Sequence, residues 1–421
     1  MLTAVVGINW GDEGKGRMVD LLSADYDIVC RYQGGNNAGH TVINDHGKIV
    51  LNLLPSGISR EGTVNVMGNG MVIDLEHLVH EIQSLREKGI HIGPDNLKIS
   101  DKAVICLPWH KMQDIMEEDR LKDKKFGSTR RGIGPVYADK YMKKAIRLGD
   151  LFAPDKLPEK VADLTEWKNL TVRGYGHEPV KAEDILAWLH EFGDPIKPYI
   201  TDVSDYLYDA ATAGENIMFE AQLGALRDIE FGIYPYTSSS CTLAGYATIG
   251  AGIPGLKLDK TIGIMKAYSS CVGEGPFAVE MFGDEAEALR RAGGEYGAAT
   301  GRPRRVGAFD IPASRYGVRM HGADCIALTK MDVLSYMDKI PVCVAYDING
   351  EITEKFPVGE RLNAAKPVFE YMEGFGDISG CRKPEDLPKA AMDYIRYLEA
   401  AVGCKIKYVS VGAGRDEYVE L

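Results

Sequence analysis

The sequence predicts an α/β fold: a large, mostly parallel central sheet with helices on both faces. Three observations carry this. Short apolar or β-branched runs recur along the chain, amphipathic segments of helical spacing lie between them, and several runs end in glycine turns. Leu2–Ile8 reads as a buried strand entering a glycine turn at Gly11, and Met18–Leu22 resumes apolar spacing as a helix. Asp27–Tyr32 is a second strand, followed by the loop QGGNNAGH, and Val64–Met67 is a third, ending in GNG. Asp74 has the character of an N-cap, with Leu75, Leu78, Val79, Ile82 and Leu85 at helical spacing until Gly89 stops the helix. Ile262–Met265, Cys325–Thr329, Val342–Tyr346 and Ile406–Val409 are further strands, and Val203–Ala211 and Leu387–Ala400 are amphipathic segments among them. No internal repeat or Pro/Ser-rich linker divides the chain, so residues 1–421 read as one domain. The charged stretch Leu151–Asp194 forms a possible peripheral helical region.

Composition narrows the function. The 421 residues carry a net charge of −12, which argues against nucleic-acid or anionic-membrane partners, whose footprint is basic. Eight cysteines lie scattered without a CxxC pair, the usage of reduced thiols in the cytoplasm. The 47 glycines follow no Gly-X-Y period and no linker pattern, so they point to turns and to close backbone approach around a ligand.

Six segments carry candidate chemistry. GDEGKGR, Gly11–Arg17, lies between a strand and a helix, where free N–H groups and the helix dipole favour phosphate; Lys15 adds a point charge. Its spacing is not that of the Walker loop, and Asp12 and Glu13 suggest a Mg²⁺ ligand or a general base; a surface turn is the plainer reading. QGGNNAGHT, Gln33–Thr41, follows a strand end and offers His40 as an acid or base, or is simply a structured turn. FGSTRRGIGP, Phe126–Pro135, supplies hydroxyls and two guanidinium forks. ATGRPRR, Ala299–Arg305, is a dense anion-recognition loop in an acidic protein. TKMD, Thr329–Asp332, presents a carboxylate able to accept two hydrogen bonds from a guanine edge, or is a charged turn, and SVGAGR, Ser410–Arg415, offers backbone contacts to a base or ribose, or is a plain C-terminal turn.

The succession GDEGKG, RYQGGNNAGHT, GIGP, YPYTSSS, KAYSSCVGEGPF, TGRPRRVG and TKMD resembles the adenylosuccinate synthetase family, from Val5 to about Arg415. The resemblance implies a P-loop-NTPase-like α/β enzyme, a homodimer using Mg²⁺. It would be a GTP-dependent ligase joining L-aspartate to the 6-position of IMP through a 6-phosphoryl intermediate, giving adenylosuccinate, GDP and phosphate. It assigns catalysis to Asp12, His40 and Lys15, with Asp12 as base and His40 as acid, and places Mg²⁺ on Asp12 and the Gly39 carbonyl. GTP falls to Gly11, Glu13, Gly14, Gly16, Arg17, Thr41, Arg304, Lys330, Asp332, Ser410 and Gly412. IMP falls to Asn37, Ala38, Thr129, Lys143, Leu223, Ser238 and Arg302, with the partner subunit completing the acceptor site. Aspartate falls to Ala298, Ala299, Thr300, Gly301, Arg302 and Arg304.

The sequence departs from the family pattern mainly on the acceptor side. Lys143 replaces an arginine, Ser238 a threonine and Ala299 the first of two threonines; Cys271 stands where arginine is common, and Arg17 replaces a lysine. The family's EGAQG is EAQLG here, which puts Leu223 at the glutamine position. Two readings follow: an adenylosuccinate synthetase in which Gln222 or a water covers for the missing amide, or a paralogue that keeps GTP activation and takes another purine-like acceptor or amine donor.

Overall fold

The computed structural model describes residues 1–44, 47–296 and 303–421. Ten strands form the central sheet: β1 (Leu2–Gly7), β2 (Ile28–Arg31), β3 (Val64–Met67), β4 (Leu97–Ser100), β5 (Ile200–Thr201), β6 (Ile217–Glu220), β7 (Lys260–Lys266), β8 (Cys325–Thr329), β9 (Ile406–Ser410) and β10 (Tyr418–Glu420). Across the sheet the order is β10-β9-β8-β7-β1-β6-β2-β3-β4-β5. Every neighbouring pair is parallel except β9 with β10.

Alternation along the strands buries both faces. Val5, Val29 and Met218 pack against Met18 and Val19 of the helix Lys15–Leu22 on one face. Their sequence neighbours Ala4, Val6, Ile28, Cys30 and Phe219 pack against Val203 and Leu207 of the helix Val203–Thr212 on the other. Tyr394, Ile395 and Leu398 of the helix Lys389–Val402 cover β8 and β9 through Ile326, Leu328 and Ile406. Within 151–194 lie the helices Leu157–Gly174 and Ala182–Gly193; Val161, Leu164, Ile185 and Leu189 share one apolar cluster with Leu75, Leu78 and Ile82. All eight cysteines are free.

The differences from the sequence reading have local causes. The strands β4, β5, β6 and β10 are short, two to four residues, too few for an alternation to show. Val342–Tyr346 is a strand, but its strand, Lys339–Ile348, belongs to a separate sheet, paired antiparallel with Ala365–Glu373 and, across an Asn349–Gly350 turn of positive φ, with Glu351–Thr353. The loop read through Thr41 ends at Gly39: His40–Asn44 is a strand paired with Gly47–Leu51. The first helix starts at Lys15, ahead of its apolar face.

Candidate active site

In a parallel sheet the carboxyl ends of the strands share one edge, where open α/β folds bind ligands. Here that edge carries the chemistry. Arg31, Glu220, Lys266, Thr329 and Ser410 are the last residues of β2, β6, β7, β8 and β9, and Gly7 ends β1 between them.

The turn after β1 holds Asp12 in the left-handed region, φ 57°, with its carboxylate 27% exposed. Glu13 faces inward: its carboxylate accepts from the backbone N–H of Asn9 at 3.1 Å and Gly11 at 2.7 Å, and pairs with Lys15 Nζ at 2.6 Å. It braces the loop from within. A Cβ on Gly7 would meet this Glu13–Lys15 pair at 2.5 and 2.7 Å, so the glycine makes room for it. No side chain caps the helix Lys15–Leu22 at Gly14, which leaves its first amides as donors for an anion. Gly16, in its first turn, lies so close to the second loop that a Cβ would stand 2.5 Å from His40 Cβ.

His40 is buried, and its Nδ1 is held by a short hydrogen bond to Glu220. Glu220 also accepts from Ser56 N–H at 2.7 Å and Ser56 Oγ–H at 2.6 Å. Burial pulls the imidazole below its ordinary pKa, and Glu220 raises it again in part. Burial would raise the Glu220 carboxyl, but His40 and the neighbouring Arg31 outweigh it and keep it ionised. Carboxylate, imidazole and outward-facing Nε2 thus form an acid–base relay, with charge on the imidazole supported from behind. Arg31 is fully buried, with Nε and Nη2 lacking partners among the described residues.

Arg304 reaches Asp12, Nη2 to Oδ2 at 3.2 Å, and Glu295, Nη1 to Oε2 at 2.9 Å. Toward β8 and β9, Thr329 Oγ1–H donates to Glu13 O at 2.6 Å and ties the two loops together. Arg17 is drawn into the C-terminal loop: its guanidinium donates to Ser410 Oγ, to Gly414 O at 2.6 Å and to Glu417 O at 3.0 Å. Asp332 lies near Arg17, with a buried Oδ1 that has no partner among the described residues, so an acceptor is left over for a ligand. Lys330 takes a left-handed backbone, φ 57°, and Ser410 Oγ–H donates to Gly412 O at 3.0 Å.

The residues that the resemblance assigns to the acceptor are more open. Asn37 Oδ1 accepts from Gly35 N–H at 3.2 Å, and Ala38 O accepts from Asn52 at 3.0 Å. Gly39, Thr41, Thr129 and Lys143 are exposed. Ser128 donates to Asp114 at 2.6 Å and Arg130 turns away to Asp119 at 2.8 Å, both fixing the loop before the helix Ile133–Tyr141. Ser238 is buried and linked through Ser240 to Gln33. Gln222 cannot cover for Leu223: it is fully buried, its Nε2–H donates to Gly35 O at 2.8 Å and its Oε1 accepts Gly35 N–H at 3.3 Å, so its amide is spent on the loop. Leu223 itself takes a left-handed backbone, φ 63°, against Gly11, a conformation that costs a leucine roughly 1–2 kcal/mol. Arg227 donates to Cys271 Sγ at 2.9 Å, which puts a guanidinium beside the cysteine after all. Ala298, Ala299, Thr300, Gly301 and Arg302 lie outside the described residues.

The site therefore gathers Asp12, Lys15, His40 and Arg304 around one helix N-terminus, with Asp332 and Ser410 on the same edge. The adenylosuccinate synthetase family model matches residues 4–419. The chain belongs to this family. An adenylosuccinate synthetase of Caldanaerobacter subterraneus subsp. tengcongensis is 44% identical, over 100% of this chain and 99% of the relative. That of Streptococcus gordonii is 43% identical, over 98% and 96%. The fully ligated adenylosuccinate synthetase of Plasmodium falciparum superposes with a TM-score of 0.92 at 36% identity, covering 100% of this chain and 99% of that one. A cyanophage S-2L succinoaminodeoxyadenylate synthetase, at a TM-score of 0.61 and 18% identity, shares the fold.

Sequence reasoning missed Glu220, Arg31 and Glu295. Each had a signal: Glu220 is an acid closing the buried run IMFE, Arg31 a cation closing the buried run IVCR, and Glu295 a carboxylate ahead of three arginines.

Proposed function

We propose that this chain forms adenylosuccinate from IMP and L-aspartate at the expense of GTP, the activity of its family, by the following division of labour. Asp12 takes the proton from the ring nitrogen next to the 6-oxo group, and negative charge collects on the 6-oxygen. That oxygen attacks the γ-phosphorus of GTP, its bond to the β,γ-bridging oxygen breaks, and GDP leaves. His40, through Nε2 and backed by Glu220, donates to the oxygen and phosphoryl group as charge builds; Lys15, the helix amides and Arg304 hold the phosphates. The aspartate amine then attacks C6, loses a proton and expels phosphate, with Arg304 and the arginine-rich loop on the aspartate side. Asp332 with Lys330 and Ser410 reads the guanine.

The residues suit Mg²⁺ shared with a nucleotide. Among the described residues no group of three or more His, Cys, Asp or Glu side chains could cage a metal, whereas Asp12 is a partly exposed carboxylate beside the phosphate turn. Asp12 and the exposed Gly39 carbonyl would hold the ion, with the phosphates as its other ligands. Bound there it would neutralise phosphate charge. We further propose a single 1–421 unit that acts as a cytoplasmic homodimer. The eight free cysteines support the compartment. Tyr141 at 73% and Met142 at 58% exposure, beside Lys143, support an interface that delivers Lys143 to the neighbouring acceptor phosphate. Among the described residues no helix is long and apolar enough to cross a membrane.

One observation carries the mechanism: Asp12 and the Glu220-backed His40 flank the open N-terminus of one helix. Purified protein given IMP, L-aspartate, GTP and Mg²⁺ should show the absorbance change of adenylosuccinate formation. Turnover of another nucleotide with none of IMP would overturn the assignment.

A further inference from the structure

Glu295 is a fully buried carboxylate that the mechanism above does not use. Its Oε1 accepts from Lys266 Nζ at 2.8 Å, Lys330 Nζ at 3.2 Å and the Tyr268 hydroxyl, and its Oε2 accepts from Arg304 Nη1 at 2.9 Å. Its main-chain carbonyl accepts the Arg304 N–H at 2.9 Å. One anion therefore gathers three cations from three segments: the end of β7, the residue after β8, and Arg304, just ahead of the strand Arg305–Gly307.

Each bond has a directional consequence. Arg304 is clamped between Glu295 and Asp12, one nitrogen on each, which fixes the plane of its guanidinium. Its Nε is buried without a partner among the described residues, a donor left over beside the phosphate turn. The Lys330 ammonium is tied down on two sides, donating to Gly293 O at 2.6 Å and to Glu295 Oε1 at 3.2 Å. Without the carboxylate, three like charges would gather around the buried Lys266 ammonium, where repulsion is less screened than in open water.

We propose that Glu295 is a positioning residue for GTP: it aims Arg304 at the phosphates beside Asp12 and, from the same carboxylate, fixes Lys330 at the guanine end. The inference rests on the assignment of Arg304 and Lys330 to GTP. It makes one buried charge the link between the two ends of the nucleotide, so both ends should fail together when it is lost.

The test is the isosteric change E295Q, with GDP binding in the presence of Mg²⁺ measured by calorimetry alongside steady-state kinetics. The expected result is a loss of at least tenfold in GDP affinity and a rise of at least tenfold in KM for GTP, with KM for IMP within twofold of wild type. GDP affinity and KM for GTP within twofold of wild type, or KM values for all substrates rising alike, would overturn the proposal. E295Q/K266M removes the carboxylate together with one of its cations and so preserves the cluster's net charge. It should recover thermal stability lost in E295Q while GDP affinity stays low; recovery of GDP affinity would reduce Glu295 to charge balance and overturn the positioning role. If the wild-type protein binds GDP but makes no adenylosuccinate, the functional assignment fails while the binding comparison still decides the role of Glu295.

Discussion

Around the phosphate turn, Glu13, Lys15, His40 and Glu220 are almost shut off from solvent and hold one another through charged hydrogen bonds. At the end proposed for the acceptor, Thr129 and Lys143 are exposed; the loop of Thr129 is held from behind, through Asp114 and its bonds to Ser128 Oγ–H and Gly132 N–H, and Lys143 follows the helix Ile133–Tyr141. The difference follows from position. The donor end sits over the middle of a parallel sheet, where six strand ends converge and every polar group brought in must be paired. The end proposed for the acceptor sits on segments flanking the helix Ile133–Tyr141, outside the central sheet. A residue in the first region should therefore govern kcat, and one in the second should govern substrate affinity with little effect elsewhere.

The largest expected effect is at Glu220. E220Q keeps the size and one hydrogen bond but removes the negative charge behind the imidazole. We expect kcat to fall about 10²- to 10³-fold, with KM values changed by no more than a few-fold. The pH profile of kcat should also shift, because the ring loses the partner that raises its pKa. An unchanged kcat would mean that His40 needs no support and that the dense bonding at this end serves only the fold.

How far the sequence announces this contrast depends on the kind of signal. The long strands and the four amphipathic helices show themselves through periodicity, and the segments Gly11–Arg17, Gln33–Thr41, Thr329–Asp332 and Ser410–Arg415 lie at or just beyond strand ends. The residues that escape detection act through partners distant in sequence. Glu220 meets His40 across 180 positions, and Arg304 meets Asp12 across the central strands. Glu13, by contrast, looks like a metal or base candidate by composition, and only the geometry shows its carboxylate turned back onto the amides of Asn9 and Gly11. The same limit applies to Gln222, whose nearness in sequence to Leu223 suggests a substitute amide that the Gly35 pairing rules out.

An intermediate effect is expected at Lys143. Exposed, it should contribute through charge alone. K143A should raise KM for IMP about fivefold to tenfold at low salt and less at high salt, with kcat and thermal stability nearly unchanged. Loss of kcat comparable to that of E220Q would erase the distinction between the two ends.

The smallest effect tests the support beneath the donor end. The helix Ile311–His321 begins at Asp310, whose side chain accepts from Ala313 N–H, and ends at His321, whose Nε2–H donates to Gly7 O at 2.9 Å under the phosphate turn. Burial lowers the His321 pKa to about 4 and raises the Asp310 pKa to about 6. The signs oppose. The histidine contributes stability that is complete above its unfolded value near 6.5 and is lost as pH falls through about 4. The carboxyl contributes stability that is complete below its unfolded value near 3.8 and is lost as pH rises through about 6. Each is on the order of 3 kcal/mol, so between pH 4 and 6 they nearly cancel. D310N keeps a good helix cap and removes one of the two opposing terms. Its melting temperature should then fall a few degrees more than that of wild type between pH 7 and pH 5, with activity at pH 7.5 little changed. Parallel curves for the two proteins would show that the charge-neutral support under Gly7 is not what the buried histidine provides.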